Sequence, residues 1–152
     1  MKENPRDEML QRDMREGRLS KDGFLGDDDR DIQEIISDDE AVLATVGITA
    51  AKIADTMRAL TQEGLKGMGE ECPVGDYMIK VEEYMGFMGC PFKDGFRQAK
   101  RNTTIRNQNG KTMIWTDVNI HLIGAHGFFQ GKGAEYRLEP MELIEFLELK
   151  AD

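Results

Sequence analysis

The segment NTTIRNQNGKTMIWTD, Asn102 to Asp117, sets two β-rich runs on either side of an Asn-Gly pair. Asn109-Gly110 is the preferred dipeptide of a two-residue type I′ hairpin turn, in which both central residues take positive φ. Folded about that pair, Ile105 faces Ile114 and Thr104 faces Trp115. Apolar then meets apolar across the strands, so register and pattern agree.

Upstream, DYMIKVEEY (Asp76 to Tyr84) alternates, with Tyr77, Ile79 and Val81 on one face and Met78, Lys80 and Glu82 on the other. That is a half-buried third strand. The glycine- and methionine-rich run YMGFMGCPFKDGF (Tyr84 to Phe96) reads as a long irregular connection, either a lid on the core or a contact loop. Downstream, Thr116 or Asp117 caps a short helix carrying Val118, Leu122 and Ala125 on one face, and Gly127 stops it. Pro140 opens a last helix whose Leu143, Ile144 and Leu147 face inward.

The first half has helical spacing. The acids of GDDDRD (Gly26 to Asp31) suit the first turn of a helix, and Ile32, Ile35 and Ile36 give it an apolar face. SDDE, Ser37 to Glu40, has the form of a capping box, so a second helix or a kinked continuation starts near Asp38 and ends at Gly47. Thr49 caps the next helix, striped by Ile53, Ala54, Met57 and Leu60. The expected fold is α+β. N-terminal helices pack on a small antiparallel sheet of about three strands, followed by short C-terminal helices. Residues 1–26 read as a flexible or loosely docked arm held through Phe24 and Leu25, and residues 27–152 as a single domain.

The chain of 152 residues has a net charge of −9, which disfavours general binding to nucleic acid or anionic membranes. No run reaches transmembrane length and the N-terminus lacks a signal-peptide core, so a cytoplasmic protein with reduced thiols is expected. The charge is uneven. Residues 1–76 hold 19 acidic and 10 basic side chains, whereas Gly95 to Thr116 holds five basic residues and no acid. Arg97, Lys100, Arg101 and Arg106 are therefore candidates for contact with a protein partner. The plainer account is a solvated hairpin face.

The chain's cysteines and histidines, Cys72, Cys90, His121 and His126, together make a Cys2His2 set that could hold zinc. Against this stands the His-x4-His spacing: five helical residues turn about 500°, so the rings point roughly 140° apart unless the helix ends between them. His126 beside Gly127 is also explained as a helix C-terminal cap. The glycines of HGFFQGKG do not follow a strand and open a helix, so they are no phosphate loop. VLATVGITAAKIADTM, Val42 to Met57, has the outline of a DNA-binding helix-turn-helix, but its outer face offers only Lys52 and Arg58, beside Asp55 and between acidic flanks. The serines Ser20 and Ser37 lie in no nucleophile elbow, and no local signature supports Cys90 with His121 or His126 as a nucleophilic pair. An enzyme is thus not the expected class.

From Trp115 to Pro140 the chain resembles uncharacterised small bacterial cytoplasmic proteins that end in a strand, a histidine-containing helix and "HGFF"-like residues, here His126 to Phe129. The resemblance implies no activity and transfers no functional residue. The function expected is a non-enzymatic binding or regulatory module, with a Cys2His2 zinc protein as the alternative and a DNA-binding protein as the further one. The oligomeric state is open.

Overall fold

A computed structural model describes residues 23–151. Among them are four α-helices and one four-stranded antiparallel sheet of order β1-β2-β3-β4. Helix α1 spans Ile32–Val46 and α2 spans Ala50–Gly64, followed by a 3-10 turn, Leu65–Gly67. The strands are β1 (Cys72–Val74), β2 (Tyr77–Gly89), β3 (Arg97–Arg106) and β4 (Thr112–Thr116). Helix α3 covers Asp117–His126 and α4 covers Pro140–Phe146. The class is the one expected. The extra strand is β1, a three-residue edge too short to show alternation.

The helix boundaries follow local chemistry. Gly47 ends α1 in the left-handed region, and the Thr49 hydroxyl accepts from the Lys52 amide to start α2. Thr116 and Asn119 form a reciprocal capping box at α3, and Gly127 closes it. Pro140 occupies the first turn of α4.

The capping box expected at Ser37 to Glu40 is not used, because α1 runs unbroken through it. Two of its acids pair with arginines outside the helix instead. Asp39 is buried and takes both Arg137 guanidinium nitrogens, at 2.9 and 3.0 Å, and Asp38 takes Arg30. Nor do the earlier aspartates fill the helix's first turn. Asp28 lies before the helix, buried, where it pairs with Arg30 and accepts from the Lys132 amide.

The hairpin differs from expectation by one residue. Gly110 is left-handed, but Asn109 is not. The Gly110 amide donates to Asn107 O, and the Asn107 side chain accepts from the amides of Asn109 and Lys111. This is a three-residue loop, a type I turn closed by a left-handed glycine, in place of type I′. Ile105 therefore pairs with Met113 and Thr103 with Trp115. A one-residue slip exchanges the faces. Trp115 is fully buried and Ile114, expected to face Ile105 in the core, is 44% exposed.

Tyr84 to Phe96 is also not an irregular connection. β2 continues to Gly89, and the chain returns as β3 at Arg97. Between the pairs Glu83–Arg101 and Phe87–Ala99 lie three residues of β2 but one of β3, a bulge containing the left-handed Gly86.

Two apolar clusters result. The larger lies between α2, the inner sheet face, α3 and α4, and includes Met57, Ile79, Ile105, Trp115, Ile123 and Leu143. The smaller gathers Phe24, Leu25, Ile32, Ile35, Cys90, Val118, Leu122 and Phe128. Of the arm expected over residues 1–26, residues 1–22 lie outside the described residues. Next to Leu25, backbone meets backbone: the Gly131 amide donates to Phe24 O across 2.8 Å, and a Cβ on Gly131 would collide with the Leu25 carbonyl. Gly131 and Gly133 thus serve close chain approach, to Leu25 and Asp27 respectively.

Candidate metal centre

Helix α3 crosses between the two clusters, with Ile120 and Ile123 in one and Val118 and Leu122 in the other. His121 and His126 flank the Val118–Leu122 stripe and reach the β2–β3 tip from its two sides. There Cys90-Pro91-Phe92-Lys93 makes a tight turn, with the Lys93 amide donating to Cys90 O and Lys93 left-handed. The Cys90 amide donates to Phe96 O and closes the loop. Asp94 Oδ1 accepts from the Phe96 amide, which turns the carboxylate inward.

The side chains converge. His121 Nε2 and His126 Nε2 stand 2.6 and 2.7 Å from Asp94 Oδ2, and Cys90 Sγ lies 3.5 Å from His126 Nε2. One donor atom from each of Cys90, Asp94, His121 and His126 lies within 4.8 Å of every other. Four donors around zinc at its usual bond lengths stand roughly 3.3–3.7 Å apart. The set is compact enough for one ion.

Aromatic rings hold the imidazoles. Phe96 stacks on His121 with centroids 3.9 Å apart and planes 7° from parallel, and Phe92 stacks on His126 at 4.1 Å and 18°. Phe92 in turn sets its edge against the buried Phe128. Burial pushes the Cys90 thiol up to about 11, and the nearby Asp94 charge adds to the shift. For Asp94, desolvation raises the pKa, but the Phe96 amide and both imidazoles outweigh it and hold the carboxyl well below the usual carboxylate range. Asp94 is thus a ready anionic ligand, while Cys90 must lose its proton as a cation arrives.

Three of the four residues expected to bind metal meet here, and Cys72 does not. It opens β1, half-buried, with its thiol directed to the carbonyls of Glu63 and Gly64 at the end of α2. Asp94 takes the fourth place. The sequence inventory weighed only cysteine and histidine, and CPFKDGF, an aspartate four residues after a cysteine and set between two phenylalanines, was the missed signal. The angular objection also fails, although both histidines lie in one unbroken helix. Their ring centroids come within 5.4 Å, and both Nε2 atoms reach the Asp94 carboxylate that sits between them.

The basic residues scatter. Arg101 pairs with Asp117 at 2.8 Å and Arg106 reaches Glu71 at 3.4 Å, so both meet acids of this chain. Arg97 lies over the Phe87 ring, and Lys100 is exposed. On the helix-turn-helix outline, Arg58 pairs with Asp55 and the Lys52 ammonium donates to the Lys150 carbonyl. Among the described residues no helix is long and apolar enough to cross a membrane. No protein-family model, curated protein or solved structure matches the chain.

Proposed function

We propose that the protein is a metal-binding module whose centre, Cys90, Asp94, His121 and His126, takes one zinc ion. The convergence of these four donors within 4.8 Å carries the reading. One sulfur, two imidazole nitrogens and one carboxylate oxygen suit a borderline, tetrahedral ion, and sulfur disfavours magnesium and calcium. Four protein ligands fill a tetrahedral shell, so the role is structural or regulatory and no substrate position remains. Equilibrium dialysis of the full chain with zinc should give one equivalent bound. Cys90→Ser and His126→Gln should lose it, and Cys72→Ser should keep it. Equal loss from Cys72→Ser and Cys90→Ser would restore the Cys2His2 set and sink this one.

A second reading is a docking surface for an acidic protein partner. It is favoured by the grouping of exposed Tyr84, Met85 and Phe87 beside Arg97 and Lys100 on one ribbon. Charge reversal at Arg97 and Lys100 should weaken capture of such a partner most at low salt. Unchanged capture would reduce the ribbon to a solvated face.

A further inference from the structure

The outer halves of β2 and β3 are short of neighbours. β1 accompanies β2 only through Ile79, and β4 accompanies β3 only from Asn102. Beyond those points Glu83 to Gly89 pairs with Arg97 to Arg101, and among the described residues no third strand joins them. A two-stranded ribbon alone is marginal in water. This one also carries a bulge, and it turns Tyr84, Met85 and Phe87 outward, Met85 at 95% exposure. Along its length Met88 packs against the smaller cluster.

Its other anchors lie at its two ends. At the base, Arg101 pairs with Asp117 at the start of α3. At the tip, Cys90, Phe92 and Phe96 pack into the smaller cluster, and Phe92 and Phe96 lie on the histidines of α3. The four metal donors divide in the same way, with Cys90 and Asp94 from the ribbon tip and His121 and His126 from the helix. An ion there adds a bond between two elements that otherwise meet through the smaller cluster and the Arg101–Asp117 pair, while α3 alone is also fixed by the larger cluster.

We infer that the ion is the latch of the β2–β3 ribbon. Bound, it clamps the tip onto α3 and holds out Tyr84, Met85, Phe87 and Lys100 as an ordered surface. Removed, it leaves the outer ribbon to open while the four-stranded part of the sheet and its helices stay folded. This rests on the metal centre proposed above and adds what the metal controls, namely whether the ribbon surface exists.

Residue-resolved hydrogen exchange on the full chain, in chelator and in zinc, tests the latch, with bound zinc measured in parallel by dialysis. In chelator the amides of 83–89 and 97–101 should exchange fast, while those of 78–81 and α2 stay protected. With free zinc at about a hundred times its dissociation constant, mass action should slow the ribbon amides about 100-fold. Cys90→Ser should abolish that slowing at the same zinc concentration, and Cys72→Ser should retain it. Ribbon amides equally protected in both conditions, with one equivalent of zinc bound, would overturn the latch and leave the metal centre standing. Loss of protection across the whole sheet on chelation would overturn it too, since the ion would then hold the entire fold. A protein that binds no zinc would overturn both.

Discussion

The Trp115 indole N–H donates to Thr61 Oγ1 across 2.9 Å, a bond buried between β4 and α2. The same hydroxyl reaches the Met57 carbonyl at 2.9 Å and Thr103 Oγ1 at 3.2 Å, so one side chain ties helix, strand and indole together. Thr61→Val keeps the shape but strands the indole donor. The expected loss is about 1–3 kcal/mol, the cost of an unmet buried polar group. Thr61→Ser keeps the hydroxyl and should lose less. Urea midpoints of the two variants check the order; equal losses would mean that packing matters and the bond does not.

The hairpin loop can be tested residue by residue. Gly110 has φ 83° and open space around it, so Gly110→Val meets backbone strain alone, roughly 1–2 kcal/mol. Asn109→Ala should be almost neutral, because its φ is ordinary. Asn107→Ala removes two acceptor contacts and should cost about 1 kcal/mol. A type I′ turn demands the opposite ranking of Asn107 and Asn109, so thermal midpoints of the three variants decide the turn.

Acid should loosen the junction between residues 24–30 and 130–134. Hydrogen bonding from Arg30, against the opposing effect of burial and with help from the Lys132 amide, holds the Asp28 carboxyl well below its ordinary value. A depressed carboxyl contributes stability that is complete above its unfolded pKa, about 3.9, and is lost as pH falls towards the folded value. Stability should therefore decline below about pH 4, and Asp28→Asn should flatten that decline. The slope of unfolding free energy against pH in the two proteins is the measurement.

Gly131→Ala isolates the close approach of the two chain segments. No positive φ is required at Gly131, so the backbone accepts alanine; the added methyl meets the Leu25 carbonyl. Overpacking of this kind costs typically 1–3 kcal/mol. Gly69→Ala, where a Cβ would meet nothing within 4 Å but φ is 92°, supplies a purely conformational comparison. A silent Gly131→Ala in calorimetry would refute the steric account.

What could be read from the sequence was what neighbours in the chain decide. Gly47, Thr49, Thr116, Gly127 and Pro140 mark helix ends because capping is local. The hairpin's existence was legible for the same reason, but its register was not. Asn-Gly suits two turns, and the choice rests on the Asn107 side chain, which lies outside that pair. The ribbon was hidden because YMGFMG lacks strand alternation across its bulge. Ser37 to Glu40 looked like a capping box, but Asp39 within it pairs with Arg137, 98 residues away. Cys90, His121 and His126 stood out by type. Asp94 did not, since aspartate is common in loops and only the fold brings it between the imidazoles.

The bulge in β2 exceeds its partner by two residues, three against one. An even excess keeps the alternation in step, so Phe87 and Arg97 share the side of the ribbon that carries Val81 and Thr103 deeper in the sheet. Pairing resumes beyond the bulge at Phe87–Ala99, Met88–Gln98 and Gly89–Arg97, so the aim of the tip is set by the ladder with β3 and not by the number of residues in the bulge. A bulge bends its strand and adds twist. A residue added between Glu83 and Phe87 should therefore be absorbed as extra bend, whereas one added between Gly89 and Cys90, beyond the last ladder pair, should displace Cys90 and Asp94 from the histidines.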